Sequence, residues 1–379
     1  MNKSNLLIDY ASPGNNSYGL VRLLAALAVI FSHAWIVVGG DVVMEPLEAS
    51  TGYPIGAHAV HIFFILSGLM VTASFERSKT ITAFIGARLL RIYPALIAVL
   101  VATIILGGLF YTSAAQSDYW SLGNVGTYFV RNMMLIGGGA ALTGIFENNP
   151  IPHEINAPLW TLKYEVVCYI SLVISLGLAH KLFPPEQRQK IILTIIGVIL
   201  LAALVIRFNP PSYHDSNHFD HLVRMAFAFY LGCFAWIMRA KLVLSARITA
   251  SLFLLAAFFT AFELPLKEQF QTIFVGYAVL WLGHFSTGKV QRFIDKQDYS
   301  YGVYIIGFPV QQSLIQFYGP MTTMENFMIA AALTLALAAL SWNIVERPAM
   351  RLKKNFDPTL KAFLISFKKI RATALTRNG

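Results

Sequence analysis

The chain has 379 residues, is 56% hydrophobic and only 13% charged, and carries a formal net charge of +10. That apolar content excludes an ordinary soluble domain and points to a polytopic membrane protein. The basic excess is accounted for by membrane topology and attraction to anionic lipid, so a nucleic-acid partner is not expected.

Apolar stretches of about 20 residues predict about ten spans. They fall at 18–40, 58–76, 92–112, 158–180, 190–208, 222–240, 244–262, 269–286, 300–318 and 326–346. The expected fold class is therefore an all-α polytopic membrane protein. Residues 1–350 form its transmembrane domain and 351–379 a basic amphipathic cytoplasmic tail. Lys and Arg collect in one set of connections (Arg77, Lys79, Arg88, Arg91; Lys181, Arg188, Lys190; Arg239, Lys241, Arg247; Lys289, Arg292, Lys296) and in the tail. By the positive-inside rule both termini are cytoplasmic.

The first span carries Arg22 and His33 inside an otherwise apolar run. Their spacing is close to three helical turns, which puts both on one face and roughly 16 Å apart along the axis. Ionisable groups at such depth mark a candidate functional site. A structural His33 would bond a neighbouring helix; a functional one would act as general base or acyl carrier. The run is too long, and too polar at these positions, for a cleaved signal peptide, so the helix is expected to stay.

The second span contains His58, His61 and the pair Ser67-Gly68. Small residues there form a notch for another helix or for a narrow acyl chain, with packing the plainer reading. His58 and His61 are expected as wet residues at its outer end. Arg88 and Arg91 follow at i,i+3 spacing and share one side of a helix. Topology alone would explain them; a phosphate clamp is the functional alternative, with Arg22 at the same level.

Residues 113–157 make the longest connection, with the short apolar piece Val125–Ile136, a run Gly137-Gly138-Gly139 and Asn148-Asn149-Pro150. It suits a re-entrant or surface segment that caps an acceptor site. Trp160-Thr-Leu-Lys-Tyr164-Glu165 then opens the fourth span, and Glu165 needs either an ion-pair partner or a role beside His33. His214, His218 and His221 with Asp215 and Asp220 have spacings a metal could exploit. They lie in a polar loop without supporting cues, so no metal is expected. Cys168 and Cys233 are expected as buried core residues and form no CxxC signature. No GxxxxGK[ST], GxSxG or HExxH motif occurs.

In this order the elements resemble the acyltransferase-3 family of integral membrane O-acyltransferases. The likeness runs from Arg22 to about Pro348. It is carried by Arg22/His33, Val60-His-Ile-Phe-Phe-Ile-Leu-Ser67-Gly68, Arg88/Arg91 with Tyr93-Pro94, Leu159-Trp160-Thr-Leu-Lys-Tyr-Glu165, Tyr299-Ser-Tyr301-Gly-Val-Tyr304 and Glu346-Arg347-Pro348. A late family histidine is absent, since the chain reads Gly307-Phe308-Pro309-Val-Gln311-Gln312, and no SGNH-type domain follows.

The resemblance implies an acyl-CoA donor, most often acetyl-CoA, and a carbohydrate hydroxyl as acceptor, in a bacterial inner membrane. It implies His33 as the centre, assisted by Glu165 or Tyr164. Arg22, Arg88, Arg91, Ser67 and Gly68 would receive the donor, and Trp160, Asn156, Tyr301 and Gln311 the acceptor. A homo-oligomer is compatible. Two other readings stand beside it: a proton-coupled exporter using His33 and Glu165, and a non-catalytic membrane subunit whose buried polar residues are replaceable.

Overall fold

The computed structural model describes residues 5–11, 14–40, 43–135, 141–208, 210–211, 214–285, 288–294 and 296–353. The triple-glycine run and residues 354–379 of the amphipathic tail expected from the sequence lie outside these residues. Ten long helices dominate the described chain: α1 (Tyr18–Gly39), α2 (Ile55–Arg77), α3 (Ile81–Leu106), α4 (Leu162–Leu182), α5 (Pro185–Ile206), α6 (His218–Ile237), α7 (Ala246–Ala261), α8 (Lys267–Gly283), α9 (Ser300–Tyr318) and α10 (Thr323–Ser341). No strand occurs among the described residues; Leu6 and Val243 form an isolated bridge.

Among the described residues six helical segments are long and apolar enough to cross a membrane: Tyr18–Gly39, Ile55–Arg77, Ile81–Tyr111, Ala157–Leu182, Pro185–Ile206 and Thr323–Arg351. The remaining long helices α6, α7, α8 and α9 fall short of that measure in length or hydropathy. Three of them carry buried polar groups, among them Arg224, Glu268, Gln269, Gln311 and Gln312. A helix shielded by its neighbours can hold such groups where a lipid-facing helix cannot.

Helix α2 is the most enclosed of the six. It packs most extensively on α6, through two glycines. A Cβ added at Gly68 would stand 1.9 Å from the Phe229 carbonyl oxygen, and one at Gly232 would stand 1.9 Å from that of Ile65. Two backbones can approach this closely only where both lack side chains. The notch expected at Gly68 is thus a helix crossing, filled by α6, and offers no space to an acyl chain.

Helices α1 and α9 run parallel. Arg22 meets Asp298 just before α9, and the His33 ring meets Phe308 edge-on with centroids 5.2 Å apart. Between them Gln311 donates to the Ile30 carbonyl at 2.8 Å. The connection after α3 folds into short helical turns. Its Asn149 donates to Gln312 Oε1 at 2.9 Å, while Gln312 donates to the carbonyls of Ile151 and Glu154 at 2.8 Å. This long connection is therefore pinned over one end of α9.

Candidate active site

A cavity opens between α1, α2, α3, α4 and α9, enclosing about 770 Å³ of non-atom space with its mouth included. Arg22, Arg88 and Arg91 all line it, together with Ser67, Glu165 and Tyr169. Tyr301, Tyr304 and Thr161 complete its polar wall, and Val60, Phe63 and Phe64 its apolar one.

The three arginines differ in their surroundings. Asp298 Oδ2 accepts from Arg22 at 2.9 Å and from Arg91 at 2.7 Å. Its other oxygen accepts from the Ser300 hydroxyl at 2.6 Å. Burial works against ionising Asp298, but the Arg22 and Arg91 guanidiniums with Ser300 outweigh it and hold the carboxyl well below the usual carboxylate range. Arg91 also has Glu346 at 3.8 Å, within the π-helical turn Trp342–Glu346. The closing Glu346-Arg347-Pro348 phrase of the sequence therefore folds back onto Arg91.

Arg88 has no ion pair among the described residues. One terminal nitrogen reaches Ser74 Oγ at 3.5 Å, and its buried Nε lacks an acceptor. The guanidinium stands 6.0 Å from the Tyr169 ring and 5.9 Å from that of Phe84. Lys353 lies in the same field: partial burial and the charges of Arg88 and Arg77 all lower its pKa. Of these three cations Arg88 lines the cavity.

Deeper in, Glu165 accepts a short hydrogen bond from the Tyr169 hydroxyl and a longer one, 3.4 Å, from Ser67. The Ser67 and Tyr169 hydroxyl oxygens are 3.1 Å apart. At the far end Tyr304 and Thr161 hydroxyls meet at 2.7 Å. His33 is not among the lining residues. Its contact Phe308 is one helical turn, ~6 Å, beyond Tyr304. Among the described residues its ring makes no hydrogen bond within the protein.

Several expected site residues stand elsewhere. Tyr164 faces away from the cavity, its hydroxyl 3.5 Å from His218 Nδ1 and its ring against Trp160. Adjacent helical positions diverge by about 100°, so Tyr164 and Glu165 cannot serve one point together. Trp160 packs on His221 with centroids 4.7 Å apart, at a separate shallow cavity. Gln311 is fully buried and bonds Ile30 and Asn326, and Asn156 donates to the Ile305 carbonyl at 2.9 Å. Both are helix-to-helix or loop-to-helix ties, without access to a ligand. Tyr301 lines the cavity while donating to the Ile92 carbonyl at 2.9 Å.

The histidine-rich loop does not converge. His214 pairs with Glu48 at 2.7 Å, His218 lies 3.4 Å from Lys163 Nζ, and His221 meets Arg224 at 3.0 Å. No group of three candidate metal ligands forms among the described residues. His61 is buried against Thr272 and is not a wet loop residue. Near it the sequence reading missed an ion-pair cluster. Arg207 is 2% exposed and binds Glu268 at 2.6 Å, which also accepts from Tyr53 at 3.0 Å. Asp298 and Tyr169 were missed likewise. An aspartate two residues before an apolar run looks like a loop charge, and Tyr169 needed only its i+4 relation to Glu165 to be found.

A profile for the family described as "Acyltransferase domain" matches residues 15–343. The chain is 26% identical to "Nodulation protein 10" of Rhizobium leguminosarum bv. viciae, over 92% of this chain and 96% of that protein. It is 28% identical to an "O-acetyl transferase" of Shigella phage Sf6, over 88% of this chain and 95% of the relative. No solved structure matches the chain.

Proposed function

The chain belongs to the acyltransferase-3 family and is an acyltransferase, and from that premise we propose that it moves an acetyl group from cytoplasmic acetyl-CoA to a hydroxyl of a cell-surface or exported carbohydrate. The observation that carries this reading is one cavity with a cationic mouth and a Glu165–Ser67–Tyr169 cluster inside. The O-acetyl transferase name of a relative agrees with the acetyl group.

The nucleotide phosphates would bind at Arg88, whose charge has no carboxylate partner among the described residues, with Lys353 and Arg77 beside it. Arginine suits this role because it presents paired donors and stays charged at any relevant pH. The slim pantetheine arm would enter between the helices, so the donor need not cross the membrane. His33, further along the same face of α1, would serve the acceptor as general base. We read about ten spans from the apolar stretches and both termini as cytoplasmic from the loop charge, in the inner membrane of a bacterium.

Membrane vesicles containing the protein, given acetyl-CoA labelled in its acetyl group, should release CoA and place label on glycan. His33→Ala should lose glycan labelling by at least about a hundredfold while the protein keeps its solution size and helix content. Full labelling by that variant would remove His33 from the centre, and absence of CoA release by the wild type would remove the donor.

A further inference from the structure

The cavity holding the three arginines has no histidine among its lining residues, and His33 lies a turn beyond the Tyr304–Thr161 bond. An acyl group delivered into this cavity therefore meets a different nucleophile first. Ser67 Oγ stands 3.4 Å from Glu165 Oε1 and 3.1 Å from the Tyr169 hydroxyl oxygen, all three facing the same space. A hydroxyl within reach of a carboxylate that can take its proton is the arrangement of an activated nucleophile. We infer that Ser67 is a covalent way-station, receiving the acyl group from acyl-CoA as an oxygen ester before the acceptor takes it.

Two features make Ser67 suited to this step. Its neighbour Gly68 is pressed backbone to backbone against α6, so Ser67 is carried on a segment with little freedom to shift, and fixed geometry raises effective concentration at a reacting carbon. Tyr169 gives its hydrogen to Glu165, so the Ser67 hydroxyl keeps its own hydrogen for transfer to the carboxylate. If Ser67 served only to satisfy Glu165, a neighbouring tyrosine already does so.

The step balances as follows. Ser67 Oγ attacks the thioester carbonyl carbon while Glu165 takes the hydroxyl proton. Collapse of the tetrahedral species breaks the C–S bond, and the leaving CoA thiolate recovers that proton from Glu165 to depart as the thiol. The acceptor hydroxyl then attacks the ester carbon, the C–Oγ bond breaks, and the acceptor's proton returns to Ser67 Oγ through the general base. No redox partner enters.

This proposal rests on the acyl-CoA reading above, and its test separates the two. Purified full-length protein is mixed with acetyl-labelled acetyl-CoA without glycan, quenched in acid and digested. The expected result is label on the peptide containing Ser67, approaching about one per chain, resistant to neutral hydroxylamine. Ser67→Cys should carry the label as a hydroxylamine-labile thioester. Ser67→Ala should lose both label and turnover. Normal CoA release without label on Ser67 or on the cysteine variant would overturn the proposal, as would Ser67→Ala turnover within about twofold of wild type. A wild-type protein that neither binds nor cleaves acetyl-CoA would instead overturn the donor reading, and the way-station with it.

Discussion

Arg91 and Asp298 are joined across 2.7 Å, and the carboxylate oxygen that joins them also takes Arg22 at 2.9 Å. One aspartate thus ties α1, α3 and the entry to α9 at the mouth of the cavity. It also sets the arginines apart, since Arg22 and Arg91 are neutralised in place while Arg88 has no carboxylate partner among the described residues.

Replacing Asp298 by Asn should therefore destabilise the fold, because two partly buried guanidiniums lose their common counter-ion. Removing one partner of a buried ion pair costs about 3–5 kcal/mol, and this site's partial exposure reduces that to about 1–3 kcal/mol. Thermal unfolding in detergent reads the change. The pH dependence has a definite sign. A folded-state pKa below the unfolded one means stability that is full above the ordinary aspartate value and lost only as pH falls through the depressed one. The wild type should keep this contribution through mildly acidic pH, and the Asn variant should show no such loss on acidification.

Glu45 should produce the opposite trend. It is 2% exposed and accepts a hydrogen bond from the Ile55 backbone N–H. Burial pushes its pKa up to about 7, with Glu48 adding to the rise and a Ser32 hydrogen bond opposing it. The folded state then holds a proton that the unfolded state has released, so stability falls as pH rises from the ordinary glutamate value through about 7. Glu45→Gln keeps the oxygen that caps Ile55 and removes the titration. Its melting temperature should match wild type near pH 5 and exceed it at pH 8, and equal pH dependence in both proteins would refute this role.

Gly68→Ala should lower stability by at least about 1–3 kcal/mol, the usual cost of overpacking, since its Cβ would meet the Phe229 carbonyl. Detergent melting curves measure it. An unchanged melting temperature combined with an altered preference for acyl-chain length would instead make Gly68 part of an acyl channel.

Much of this arrangement was legible in the sequence. The helical periodicity that put Arg22 and His33 on one face agrees with their contacts to Asp298 and Phe308 along the parallel α9. Arg88, Arg91, Glu165 and Ser67 share a cavity because each is a polar exception in an apolar run, and such exceptions turn inward. What remained hidden is tertiary. Nothing local distinguishes Gln311 as a tie to Ile30 from Gln311 as a ligand contact, or Gly68 as a crossing from Gly68 as a notch. Tyr164 and Glu165 differ by one position, and only the placement of α6 with His218 decides which faces the cavity.

Under the proposed function the cationic mouth at Arg88 receives the phosphates of acyl-CoA. Calorimetric titration of CoA into purified wild-type protein and Arg88→Ala tests it directly, with helix content checked on both. The expected dissociation constant is weaker by roughly 10–100-fold in the variant, the range for losing a charge-assisted contact of about 1.5–3 kcal/mol. The wild-type affinity should fall as salt rises. An unchanged affinity in a folded Arg88→Ala protein would contradict it.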